Sequence, residues 1–281
     1  MKADGSFPLL VPAIAIYLGL FFLPLSWLLL ESFRLYTPGG IGAAAGAPLT
    51  LANYAELLTP AFARFFLETM QISLLASLTG VLLAFPLAYW ITRKLSARWR
   101  AIAVGFFVTL MFLSVLVRTY ALELTFGAAG PLRPLLLALG ISPNSRDYIA
   151  ILVGAGLLHY IVPMATLTLL GTIQNVDPRL VDAAEALGAP AWKAHLTITL
   201  PLSMRGVLAA FLFAFTFSIS AFIIPMILGK GRVLFISNLI YNRFSEIADY
   251  PSGAAISIVL FAVALAIVYA MSRFVAKQWT P

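Results

Sequence analysis

The chain has no cysteine, only two histidines and few charges, and each shortage removes a class of function. Without cysteine there is no disulfide framework and no thiol chemistry. His159 and His195 alone supply neither a metal cluster nor a histidine relay for protons. No G-x-x-x-x-G-K-[ST] loop occurs, and Gly229-Lys230-Gly231 lacks the rest of that pattern, so the chain carries no ATP site of this kind. Charged residues make up 10% of the 281, where a soluble domain carries about 25%, which leaves too little polar surface for water. What is present instead is apolar: 62% of the residues are hydrophobic and the mean hydropathy is +0.98. The net charge of +7 would suit a nucleic-acid binder, but the basic residues stand mainly between apolar blocks rather than in one tract.

Six windows are long and apolar enough to cross a bilayer, which takes about 20 helical residues. They are 7–30, 69–92, 101–122, 148–176, 206–229 and 250–272. Continuous apolarity, rather than alternation, predicts helices and not barrel strands. Pro12, Pro24, Pro86, Pro163 and Pro225 fall inside the windows, where neighbouring helices can cover the carbonyls they free. The first window is too long for the apolar part of a cleaved leader and no small-residue cleavage site follows it.

Loop charge sets the expected orientation. With the N-terminus inside, Lys2, Arg93, Lys94, Arg98, Arg100, Arg179, Lys193, Arg205, Arg273 and Lys277 lie inside, ten basic residues against eight outside. The loop holding Arg93, Lys94, Arg98 and Arg100 has no acid and carries the sharpest signal. Both termini are therefore expected in the cytoplasm.

The segment 177–201, between the fourth and fifth windows, differs from the rest in being mixed in polarity. Asp177-Pro178 is a helix start, an acceptor followed by proline at the first helical position. Leu180, Val181, Ala184 and Leu187 recur at spacings of three and four, and Asp182 and Glu185 share a neighbouring face. Gly188 stops that helix, and Pro190 opens a second short one, expected to end before Pro201. A connector lying on the membrane with Trp192 as its anchor would have this pattern. So would a short helix that fits a groove on another protein.

At these residues the chain resembles the inner-membrane permeases of binding-protein-dependent ABC importers. Their motif reads E-A-A, three residues, G, nine residues, then I-x-L-P. Here Asp182-Ala183-Ala184 is followed at the same spacings by Gly188, Ile198, Leu200 and Pro201, with aspartate in place of glutamate as the one departure. The likeness is nearest to the first permease of spermidine/putrescine-type importers, through 116–120 (LVRTY), 222–229 (FIIPMILG) and 239–255 (LIYNRFSEIADYPSGAA). It implies an all-α, six-span protein of the type I importer fold, one permease domain over 1–281 with a cytoplasmic coupling segment at 177–201. It implies a bacterial inner membrane, a second permease chain, two cytoplasmic ATPase subunits that hold ATP and Mg, and an external solute-binding protein. No cofactor is implied for this chain and no enzymatic activity of its own.

In that reading Asp182, Ala183, Ala184 and Glu185 would seat in the ATPase, with Gly188 giving the bend and Ile198, Leu200 and Pro201 completing the motif. The cargo would be a small polar solute of the polyamine, opine or organic-ion type; relatives for phosphonates, thiamine and ferric iron leave the choice open. Candidates along the path are Ser114, Arg118, Ser218, Ser220 and Asn238, residues that also serve in helix packing. Arg118 reads either as a cation snorkelling to the interface or as a contact for an anionic substrate or for Glu123. Near balance of acids and bases at the outer mouth, together with Arg118, points toward an anionic or zwitterionic cargo. An ion-coupled secondary transporter is the rival class. It needs an ionisable site within the membrane, and no carboxylate lies well inside any window.

Overall fold

One residue in four along a single helix organises most of the chain. The computed structural model describes residues 7–279; Lys2 and Asp4, assigned above to the inner side, lie outside them. Helix α7 (Arg146–Gln174) is the fourth window. Its residues Ile149, Val153, Leu157, Ile161, Ala165, Leu169 and Ile173 are all fully buried. Four residues advance about 400°, about 40° more than a turn, so a stripe at this spacing winds around its helix. Neighbours therefore pack on successive sides of α7, which becomes the hub.

The elements before it are α1 (Phe7–Ser32), α2 (Ala52–Glu56), α3 (Pro60–Arg93), α4 (Ala97–Phe112), α5 (Val115–Phe126) and α6 (Arg133–Ala138). After it come α8 (Arg179–Ala186), α9 (Ala191–Ala194), a π-turn over His195–Thr199, α10 (Leu200–Leu202), α11 (Met204–Ser220) and α12 (Ile223–Leu228). The chain ends with α13 (Ile236–Tyr241), a second π-turn over Asn242–Glu246 and α14 (Tyr250–Trp279). Four helices, α1, α3, α7 and α14, are singly long and apolar enough to span a membrane, and the number rises to six when each bent pair counts once. Among the described residues the sheet-like pairing is one isolated bridge, Arg34 with Leu49.

Two windows expected to be continuous are broken. The third bends by 92° between α4 and α5, at Leu113 and Ser114, which are extended. No proline or glycine marks the place. The fifth stops at Ser220 and resumes at Ile223. There Pro225 has no N–H to give the carbonyl of Ala221, four residues back, and the Ser237 hydroxyl donates to that carbonyl instead at 2.6 Å.

By compactness the chain forms two units, Met1–Arg64 with Leu239–Val263 and Phe65–Asn238 with Ala264–Pro281. Within the second, small residues let backbones approach. Thr69, Ser73, Ser77, Gly80, Ala84 and Ala88 line the buried side of α3, and a Cβ on Gly80 would collide with Ile161 of α7. Gly156 sits likewise against Ile224 and Leu228 of α12, and Gly206 of α11 against Thr172. This is the close packing that membrane helices use where hydrophobic force between them is absent.

Within the first unit, the glycine-rich run 39–48 is tied down. Gly42 donates to the Ala248 carbonyl at 2.8 Å and lies in the left-handed region against the Tyr250 ring. Arg243 pairs with Asp249 at 3.4 Å and with Glu56. Asp249 also caps α14 by accepting from the Ser252 N–H at 3.1 Å.

Candidate functional site

The 177–201 segment hangs between α7 and α11 as two short helices joined by a turn. The Asp177 carboxylate accepts from the Arg179 N–H at 3.0 Å and starts α8. At the other end Ala189 N–H donates to Ala184 O at 3.0 Å and Gly188 N–H to Glu185 O at 2.9 Å. That pair of bonds is the Schellman closure, and Gly188 takes the left-handed φ of +89° that it requires. Nothing stands within 4 Å of where its Cβ would be. Gly188 is there for its backbone, not for space.

The expected apolar stripe divides in two. Val181 is buried and Ala184 half-buried, whereas Leu180 is exposed and Leu187, the last residue before the turn, is 89% exposed. Asp182, Ala183, Glu185 and Gly188 are exposed as well, and so is Trp192 at 65%. Ile198, Leu200 and Pro201 are half-buried. The second helix does not end before Pro201: α9, the π-turn and α10 run on through Leu202, then turn by 72° into α11. The π-turn explains this, since Leu200 donates to His195 O, five residues back, and the shifted ladder accommodates a proline with no N–H to give.

Beneath α8 lies a cavity of about 170 Å³ lined by Tyr89, Arg93, Lys94, Val181, Asp182 and Thr199, among others. Two contacts tie this region to α3. His195 meets the Tyr89 ring edge-on at 4.5 Å, with Nδ1 3.2 Å from the Thr199 hydroxyl. Arg93 donates to the carbonyl of Ile173 at 2.8 Å and to that of Val176. The first lies in the last turn of α7 and also accepts from the Val176 N–H at 3.3 Å, and the second lies just past the end of that helix. The sequence marked Arg93 only as a loop charge.

The five candidates for the path fall in different places. Ser114 is exposed in the break before α5, and its side chain makes no capping bond. Ser220 is exposed at the end of α11, its hydroxyl on Thr216 O at 2.8 Å and Phe217 O at 3.2 Å. Ser218 is buried in the packing of α3 on α11, bonded to Ala214 O at 2.8 Å and 3.4 Å from the Ser77 hydroxyl. Asn238 is spent at both ends, accepting from Phe235 N–H and donating to Phe222 O, each at 3.1 Å. Arg118 is 5% exposed. Its guanidinium donates to Leu113 O at 2.9 Å and lies 5.1 Å over the Tyr160 ring. Tyr160 in turn stacks on Phe217 at 3.9 Å. Glu123 pairs instead with Lys230, at 2.6 Å.

Residues 76–280 match the family described as "Binding-protein-dependent transport system inner membrane component". The chain belongs to that family. This permease is 31% identical over 234 residues to the spermidine/putrescine transport system permease protein PotB of Salmonella typhimurium (strain SL1344), covering 82% of this chain and 81% of that one. It is 28% identical over 287 residues to the inner membrane ABC transporter permease protein YdcU of Escherichia coli (strain K12), covering 92% and 91%. Among solved structures it resembles a chain of a bacterial alginate ABC transporter in complex with an alginate-bound periplasmic protein. That match has a TM-score of 0.74 and 20% identity, over 96% of this chain and 93% of the other. A likeness at that identity establishes the fold, the type I importer fold. The permease is thus a multi-pass inner-membrane subunit of an ABC importer. The Tyr160–Phe217 stack and the Arg93 anchor went unread in its sequence, because both join residues more than fifty positions apart.

Proposed function

We propose that this permease forms half of a solute pathway that opens alternately to the two sides, driven by ATP hydrolysed on separate subunits gripping the 177–201 segment. The supporting observation is the exposed end of α8. Leu187, Ala183, Asp182 and Glu185 stand free beside a Schellman turn, on an element strung between two membrane helices. A large apolar side chain as exposed as Leu187 next to acids suits a protein partner better than a lipid surface. Two such helices drawn together as the ATPases close on ATP and Mg would tip the spans, and hydrolysis would release them, each state favoured by its own ligand.

In this reading both termini and the 177–201 segment are cytoplasmic, a second and different permease chain completes the pathway, and a solute-binding protein delivers cargo from outside. The cargo is a small polar organic ion, with polyamines the first candidates because PotB, at 31% identity, is named for spermidine and putrescine. The sequence argument for an anionic cargo loses its main support, since Arg118 is buried and already bonded. The test uses the purified assembly in liposomes. ATPase subunits should co-purify, uptake should require ATP, and deletion of Ala183-Ala184 should abolish uptake while the chain still reaches the membrane. Uptake driven by a proton gradient without ATP would put the protein in the ion-coupled class instead.

A further inference from the structure

Arg118 poses a physical problem that the proposed function does not resolve. It is a cation inside a membrane-spanning region, it is 5% exposed, and no Asp or Glu among the described residues forms an ion pair with it. A charge in that position is costly unless protein groups replace its water. Snorkelling cannot supply that water to a side chain enclosed by protein.

The compensation comes from carbonyls that two separate interruptions leave without donors. The first is the break after α4. The chain turns by 92°, so the Leu113 carbonyl has no amide ahead of it in its own helix, and Arg118 Nη2 donates to it at 2.9 Å. The second is in α7. Pro163 has no N–H, so the carbonyl four residues back, on His159, loses its helical donor. Arg118 Nη1 points to that oxygen at 3.5 Å, the outer limit of such contacts. The planar fork of a guanidinium can address two oxygens on different helices, which a lysine ammonium on its single point cannot do as well. The face of the same group covers the Tyr160 ring at 5.1 Å, next to Pro163's weakened turn, and Tyr160 stacks on Phe217 of α11 with ring planes 13° apart.

We propose that Arg118 is a positioning residue and not a cargo ligand. It holds the α4/α5 break against the proline-weakened turn of α7 and so fixes the aromatic pair Tyr160–Phe217. This holds whether ATP or an ion gradient drives uptake.

The chain lacks cysteine, so Phe106→Cys on α4 and Leu124→Cys on α5, both at exposed positions, can carry spin labels in the full assembly in lipid nanodiscs. The distance between them reads the bend. In the parent one narrow distribution is expected. Arg118→Met should broaden it and move it to longer distance, with Arg118→Lys between the two, and should lower the thermal unfolding midpoint by about 5 °C. Pro163→Ala returns an N–H to the His159 carbonyl, so adding it to Arg118→Met should recover part of the lost midpoint. If Arg118→Met does not accumulate in the membrane, recovery of accumulation by Pro163→Ala is read instead, and Arg118→Lys carries the distance measurement. A bend that stays sharp without the guanidinium, or a double variant no better than the single one, overturns the proposal. Neither a cargo ligand nor an interfacial charge would be rescued by restoring an amide in α7.

Discussion

Two glycines show how differently one residue type acts in this chain. Gly188 has open space around it and a φ of +89°, so Gly188→Ala should cost about 1–2 kcal/mol, the left-handed penalty for a residue with a Cβ. Asparagine tolerates that region better. We therefore expect Gly188→Asn to keep more uptake than Gly188→Ala, with equal amounts of both in the membrane. Equal loss in the two variants would show that the backbone is not what matters there. Gly80 is the opposite case. Its φ is ordinary, and a Cβ would collide with Ile161, so Gly80→Ala should destabilise by prising α3 from α7. Trimming the obstacle with Ile161→Val should return part of the loss, and thermal unfolding of the four members of that cycle measures the coupling.

At the scale of elements, what the sequence disclosed depends on whether the cause was local. The α8 turn was legible because Asp177, Gly188 and Pro190 each act within a few residues of themselves. The six windows were legible because lipid imposes apolarity on a whole span. The bend at Leu113 and Ser114 was not, since neither residue is a helix breaker and the donor to the carbonyl at the broken end sits on the following helix, at Arg118. The ties on the glycine-rich run 39–48 are hidden for the same reason: composition reports chain freedom, but Gly42 is held by Ala248, some two hundred positions away. Helix α7 gives an element-scale prediction. Arg93 of α3 grips the carbonyls of Ile173, in the last turn of α7, and of Val176, just beyond its end, so a pull on α8 should reach α3 as well as α11. Arg93→Met should leave ATP hydrolysis by the assembly in place while uptake per ATP falls several-fold, and Arg93→Lys, with one point of contact, should fall between. A proportional loss of both activities would mean that Arg93 only stabilises the fold.

For the whole molecule the question is which parts of its apolar surface face lipid and which face protein. Composition cannot separate them, because both demand the same side chains. Leu187 is the place where they can be told apart. It is almost fully exposed, next to Gly188 and three residues from Ala184, at the end of an element too short and too polar to enter the bilayer. Leu187→Cys, in a chain with no other thiol, should react with a water-soluble maleimide in inside-out vesicles that lack the ATPase subunits and fail to react in right-side-out ones. Adding the ATPase subunits should slow the reaction by about tenfold or more if the turn seats in a partner, since a contact worth 1.4 kcal/mol already changes occupancy by that factor. Lipid contact predicts slow labelling from either side and no change on adding protein. Fast labelling from outside would reverse the orientation drawn from Arg93, Lys94, Arg98 and Arg100, and with it the side on which a nucleotide-driven partner could bind.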